Sequence, residues 1–458
     1  MLSLELQPRR PASRPSSALN VRDGHLCVEG IDVVALAQSV EAPFVLVSRR
    51  QIADNLAFVC DAFRARHTRT SLVYRAGLPL SPRLCGLLRE TQVRVEVASP
   101  EELGLARAHG LAVSRIVVRA ESGREAVAAA LEAGVDAVGV SCVEDATLVA
   151  DVAARRNTTA RCMLRLDSEL AGGWWARQSA PLPGAFEQIR ARLAQVETTP
   201  SLTLVGLAAD LGPQVCEVEA YEQVTQLLGG LADELAPTQR AALEFLELGG
   251  GMVGEEVVAA DSQGRPLGAV AGVARVTCYD DYAQAVTAAA TLGGLELRIA
   301  PGNDLLAGAV TLVARLVAHD GNHAIAPDRS LTLAGDGWLL PAGTDRLWHA
   351  PTVAANRADE PHAALHWVDL PMRSASSGGA QRHVLRRSLP ATTAADDLVA
   401  FLNWGPTEGG SVAGGSGDTE PTALLVDGET LGLLGPQPSL CQATIGSRLA
   451  RGSTRDDR

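Results

Sequence analysis

VRVEVASPEELGLARAHGLAVSRIVVRAESGREAVAAALEAGVDAVGVSCVEDATLVADVAARR, residues 93 to 156, alternates three short apolar runs with three amphipathic stretches. The runs Val93–Ser99, Arg115–Ala120 and Ala137–Val143 are rich in β-branched residues and have the length of strands. SPEELGLARAHG, ESGREAVAAALEAG and VEDATLVADVAARR between and after them carry helical periodicity. Ser99, followed three residues on by Glu102, has the spacing of a capping box and predicts a helix start there. Strand then helix, three times over, is the signature of a parallel sheet wrapped by helices.

Outward from this stretch the same alternation runs from about residue 43 to residue 300. Further strands are expected at Phe44–Ser48 (FVLVS), Leu72–Arg75, Cys162–Asp167, Leu204–Leu211 and Phe245–Gly251. Eight strands alternating with helices predict a (β/α)8 TIM-type barrel over residues 43–302. Beyond it the texture changes. Apolar runs such as LTLAGDGWLL, ALLVDG and LGLLG sit between SASSGGAQR and GGSVAGGSGDTEP, which predicts a mainly β domain with long Gly/Ser-rich loops over 303–445. HLCVEGIDVVALAQ, His25–Gln38, is expected to return to that domain, so 21–42 form its N-terminal part and the β domain is discontinuous in sequence. Residues 1–20 read as a disordered lead-in and 446–458 as a disordered tail.

The chain has 458 residues, 47% hydrophobic and 20% charged, enough to bury two cores. No apolar run reaches the roughly 20 residues of a spanning helix. MLSLELQPRRPASRPSS has its basic residues after the short apolar start and lacks a hydrophobic signal core, so the expected location is cytoplasmic, with no membrane partner. A net charge of −13 argues against a nucleic-acid partner. The eight cysteines are scattered singly, and His349, His362 and His366 have no metal-ligand spacing, so no metal site is expected. All 40 basic residues are arginine: the sequence contains no lysine. Arg, Ala and Gly usage of this kind fits a GC-rich genome, in which lysine codons are scarce.

In such a barrel the chemistry sits at the C-terminal ends of the strands. The series of motifs at those ends resembles the fold-type III pyridoxal-phosphate (PLP) decarboxylases of diaminopimelate, ornithine and arginine, with alanine racemase as a more distant relative. PFVLVSRRQIADNLAFVCDAF is similar to the family's opening strand and helix, and VEVASPEEL to its D-V-A-S-x-x-E-L. LVGLAADLGPQ is similar to G-x-H-x-H-x-G-S-Q, FLELGGGMVG to the glycine-rich phosphate loop, APGN to E-P-G-R and FLNWGPTEGG to G-P-x-C-E-S-x-D. The resemblance covers roughly residues 20 to 445, and it implies an alanine-racemase-like C-terminal β domain and an active site shared across a dimer interface.

Aligned in this way, the cofactor residues are substituted. The Schiff-base lysine falls at Arg75, the ring-stacking imidazole at Asp210 and the phosphate serine at Pro213. The glutamate that pairs with the pyridine nitrogen falls at Ala300, the phosphate arginine at Asn303, the catalytic cysteine at Glu408 and a tyrosine near Gln437. A guanidinium stays protonated and forms no imine. The expectation is therefore a chain with no cofactor: covalent PLP is precluded, and non-covalent PLP is disfavoured by the lost ring and phosphate contacts.

Gly249, Gly250 and Gly251 remain, either as an anion loop for a small carboxylate or phosphate or simply as a tight turn. Arg75 and Asp210 are expected to meet, as an ion pair filling the cavity or as a substrate clamp, with Glu408 as acid/base group or solvated loop residue. Trp174 and Trp175 are candidates for a lid over the barrel mouth or for packing there, and the role of Asp336 stays open.

Two functions follow. One is a decarboxylase-like pseudoenzyme that binds or regulates a partner through the dimer interface, as a homodimer or as a heterodimer with an active paralogue. The other is a cofactor-independent enzyme of amino-acid-derived secondary metabolism that reuses the barrel mouth.

Overall fold

A computed structural model describes residues 13–75, 78, 80–166, 185–212, 215, 217–252, 254, 256–258, 278–289, 292–318, 330–333, 338–339, 352–373, 380–402 and 421–434. Eight parallel strands close into a barrel: Thr70–Tyr74, Arg94–Val97, Ile116–Arg119, Ala137–Val140, Ala160–Leu166, Leu202–Asp210, Phe245–Gly249 and Glu296–Ala300, which returns to the first. They are called the first to eighth barrel strands below. The helices between them bury apolar stripes against the barrel wall, as in Arg124–Ala133 through Ala126, Val127 and Ala130. At the start of Pro100–Ala108 the expected cap is present. Ser99 Oγ accepts from Glu102 N at 3.2 Å, and the Glu102 carboxylate accepts from Ala98 N at 2.8 Å.

One strand was misplaced by pattern alone. Phe44–Ser48 is not in the barrel; it pairs with Val310–Ala318 and Thr422–Asp427 in the sheet of the second domain. The barrel closes instead with Glu296–Ala300, whose sequence ELRIA puts two charges into five residues. FVLVS is buried at all five positions, and a run buried on both faces reads the same in a barrel wall or mid-sheet.

The second domain is a ten-stranded mainly antiparallel sheet whose long hairpin is Ala364–Arg373 with Ala380–Leu389. Its core gathers Leu26, Val28, Phe44, Leu46, Val313, Val353, Ala400, Leu424 and Val426 from both ends of the chain. The early segment does return to it: Leu26 N donates to Ala355 O at 2.8 Å and Ala358 N to Gly24 O at 2.8 Å. Glu29 ties that segment to both domains, accepting from Ser48 Oγ at 2.5 Å, Arg50 N at 2.9 Å and Gly428 N at 2.7 Å.

The lead-in expected over 1–20 needs correction from residue 13 onward. Ser13–Pro15 pairs in parallel with Glu256–Val258, and Leu19–Arg22 forms a hairpin with His25–Val28. Arg14 is held over the Phe58 ring at 4.5 Å, so a stretch polar in sequence is anchored by a cation–π contact. Among the described residues no helix is long and apolar enough to cross a membrane.

Candidate functional site at the barrel mouth

The barrel lumen holds charge. VRVEV, MLRL and FLELG alternate, so their outward residues pack against helices while Arg94, Glu96, Arg165 and Glu247 turn inward. Glu96 on the second strand meets Arg165 on the fifth at 3.0 Å; these strands are not neighbours in the wall, so the contact crosses the interior.

Arg75, just past the first strand, is the centre of the upper layer. Its Nη1 donates to Asp210 Oδ2 at 2.8 Å, and its Nη2 donates to Glu247 Oε1 at 2.6 Å and lies 3.0 Å from Glu96 Oε2. Arg165 Nη2 stands 3.6 Å from Asp210, and Arg119 Nη1 stands 3.6 Å from Glu96 Oε1 while also pairing with Glu121. Arg75, Arg119 and Arg165 thus face Glu96, Asp210 and Glu247, three charges of each sign.

Their surroundings separate the carboxyls. Burial opposes the ionised form of Glu96, but Arg75, Arg165 and Arg119 outweigh it and hold that carboxyl below its ordinary value. Burial pushes the Glu247 carboxyl up, with Arg75 pulling the other way and Glu96 adding to the rise. Glu247 is 1% exposed, and its Oε2 has no hydrogen-bond partner among the described residues.

Beneath this layer Phe245 and Met163 join Val117, Ala137, Val205 and Ala208 in a small apolar cluster. An irregularity in register after Cys162 brings Met163 opposite Gly206, where a Cβ would fall 2.1 Å from the Phe245 ring. Arg298 stacks on that ring, 3.3 Å from its centroid. A second ionic layer closes the N-terminal end: Asp136 takes Arg94 at 2.8 Å and Arg298 at 2.7 Å, and Glu296 takes both at 2.9 and 3.0 Å.

The glycine triplet is stitched into its surroundings. Gly250 sits at φ +121°, open to glycine alone among ordinary residues. Gly251 N–H donates to Gly212 O at 2.7 Å, so one donor of the expected anion loop serves the backbone, and the following Met252 N–H donates to Gly250 O at 3.0 Å. A Cβ on Gly249 would stand 2.7 Å from Arg75 Nη1; here that glycine makes room for a guanidinium.

The structure therefore brings Arg75, Asp210 and Gly249 together. Glu408, Trp174, Trp175, Pro213, Asp336 and Gln437 lie outside the described residues, as does the side chain of Asn303. Glu96, Arg119, Arg165 and Glu247 were not singled out from sequence. The signal was there: single charges at alternate positions of otherwise apolar strands.

A family model described as "Pyridoxal-dependent decarboxylase, pyridoxal binding domain" matches residues 54–299. Diaminopimelate decarboxylase of Aquifex aeolicus is 23% identical over 241 residues, 51% of this chain and 56% of that protein. L-glutamyl-[BtrI acyl-carrier protein] decarboxylase of Niallia circulans is 23% identical over 229 residues, 48% of this chain and 52% of that protein. The match thus spans about half the length of these curated relatives.

Among solved structures, diaminopimelate decarboxylase of M. jannaschii superposes with a TM-score of 0.68 at 18% identity, covering 92% of this chain and 95% of that one. The lysine/ornithine decarboxylase of Vibrio vulnificus gives 0.62 at 15%, covering 86% and 97%. These likenesses extend over both domains and establish the fold.

The matched domain overturns the expectation of a chain with no cofactor, because it is a pyridoxal-binding domain and the relatives are decarboxylases that point to PLP. The residues at the mouth do not fit that group as a lysine imine. The sequence has no lysine, and the side chain ending the first barrel strand is a guanidinium bound by three carboxylates.

Proposed function

The chain belongs to the pyridoxal-dependent decarboxylase family, and on that premise we propose that it is a non-catalytic member that binds or regulates a partner through the family's dimer interface. An active decarboxylase paralogue is the partner proposed. One observation carries this reading: Arg75 stands where imine chemistry needs an amine, within 3.0 Å of three carboxylates. A guanidinium so held is permanently charged and is not a nucleophile.

The test is co-expression with a decarboxylase paralogue from the same genome, followed by mass measurement in solution and assay of the paralogue. A heterodimer with altered decarboxylase activity is expected. A self-associated or monomeric chain that leaves the paralogue unchanged would end the proposal. So would decarboxylation by this chain alone with added PLP.

A second reading is an enzyme of amino-acid-derived secondary metabolism that works at the same mouth. It is favoured by Glu96 and Glu247, two carboxyls on one guanidinium nitrogen whose protonation is driven in opposite directions, as an acid and a base require. Arg75→Ala and Asp210→Ala that leave every cellular phenotype of the chain intact would dispose of it.

A further inference from the structure

We infer that Glu96, Asp210 and Glu247 form a receptor for a guanidinium cation, filled from within the chain by Arg75, and that a free monosubstituted guanidinium takes the place once that side chain is removed. The inference rests on the reading of the barrel mouth as the working site and names the class of cation that its carboxylates are shaped to hold.

The shape of the place is that of a flat, forked cation. Asp210 Oδ2 receives one terminal nitrogen at 2.8 Å, while Glu96 Oε2 and Glu247 Oε1 share the other at 3.0 and 2.6 Å. These acceptors come from three different strands: Asp210 and Glu247 each accept a terminal N–H, and Glu96 stands in ion-pair contact with the nitrogen that Glu247 binds. Gly249 provides the floor, with no Cβ where one would reach 2.7 Å from Nη1. An ammonium is a compact point charge with three donors and does not span such a set.

A second observation points to a ligand. Glu247 is 1% exposed and presents its carboxylate to this place, yet Oε2 has no partner among the described residues. The tethered guanidinium donates to Oε1 of that carboxylate. A free one can turn and offer two parallel N–H groups to both oxygens, the arrangement that carboxylates and guanidinia prefer. Charge favours the same outcome. Removing Arg75 takes away the guanidinium that draws the buried Glu247 toward its ionised form, so that carboxyl gains from a cation returned to the same place.

The experiment uses the full chain carrying Arg75→Gly, with methylguanidinium as probe and methylammonium and sodium chloride as controls at equal ionic strength. The variant should unfold more readily than wild type. Methylguanidinium at about 100 times its Kd should then raise the folded-to-unfolded ratio about 100-fold. Neither control salt should do so, and wild type should not respond. Equal response to all three salts, or equal response of wild type and variant, would overturn the receptor.

Should Arg75→Gly fail to fold alone, the yield of folded protein refolded with and without methylguanidinium gives the answer. Selective recovery with the guanidinium supports the inference, and none refutes it. The readout is independent of any paralogue, so its failure and the failure of the partner proposal are distinguishable.

Discussion

Glu96 and Glu247 lean on the same nitrogen, Arg75 Nη2, and respond to it differently because Glu96 is also held by Arg165 and Arg119. The Glu96 carboxyl is held below its ordinary value of 4.5, so its stabilising contribution is present above that value and is lost as pH falls through the lower one. Removing it strands buried guanidinia, and Glu96→Gln should cost about 3–5 kcal/mol in denaturant unfolding. The Glu247 carboxyl is raised above 4.5, so its contribution is present below that value and is lost as pH rises through the higher one. Glu247→Gln should therefore cost only about 1 kcal/mol in acid, and less as pH rises. A loss equal to that of Glu96→Gln at neutral pH would refute the asymmetry. His362 offers an independent check. Its Nε2 accepts from Ala354 N at 3.1 Å, and burial holds its imidazole below the ordinary 6.5, with Glu360 opposing. Stability should fall as pH drops from 6.5 through the lower folded value, and His362→Ala should flatten that dependence.

Among the elements, the seventh barrel strand and its glycine turn illustrate how charge and close packing coexist. Gly249→Ala forces a methyl against Arg75 Nη1 and should cost about 1–3 kcal/mol, with Arg75 displaced from Asp210. Unchanged stability would mean that the guanidinium does not need that floor. Glu29 is the corresponding joint between domains. Glu29→Ala removes three accepted bonds and should cost about 2–3 kcal/mol, with faster hydrogen exchange at Arg50 and Gly428 amides. The eighth strand shows why pattern reading fell short here. ELRIA looks too polar for a barrel wall until Glu296 and Arg298 are seen facing the lumen, where Arg94 and Asp136 complete them.

Across the whole molecule the barrel carries an ionic layer at each end of its lumen with an apolar cluster between. Such a core depends on pH as a hydrophobic one does not. Burial works against ionised Glu296, while Arg298 and Arg94 hold its carboxyl below 4.5, in the same direction as Glu96. The two contribute stability above 4.5 that disappears together as pH falls through their lower values. Denaturant unfolding across that range should show a steep acid loss that Glu296→Gln makes shallower. A flat profile would mean that the layers are not coupled to folding.

The period of alternation, the capping residues and the order of motifs made the barrel, the β domain and the Arg75–Asp210 meeting legible in the linear chain, because each depends on local spacing or on resemblance. The absence of lysine was equally plain there, since it is a matter of composition. Folding alone chose which strand closes the barrel, because FVLVS is buried in either place. It alone gathered Glu96, Arg165 and Glu247 around Arg75. Those partners lie on the second, fifth and seventh strands, and ion pairing inside a closed lumen leaves no mark of its own on any one segment. Arg75, conspicuous at first only for not being a lysine, gained its role from where three carboxylates converge.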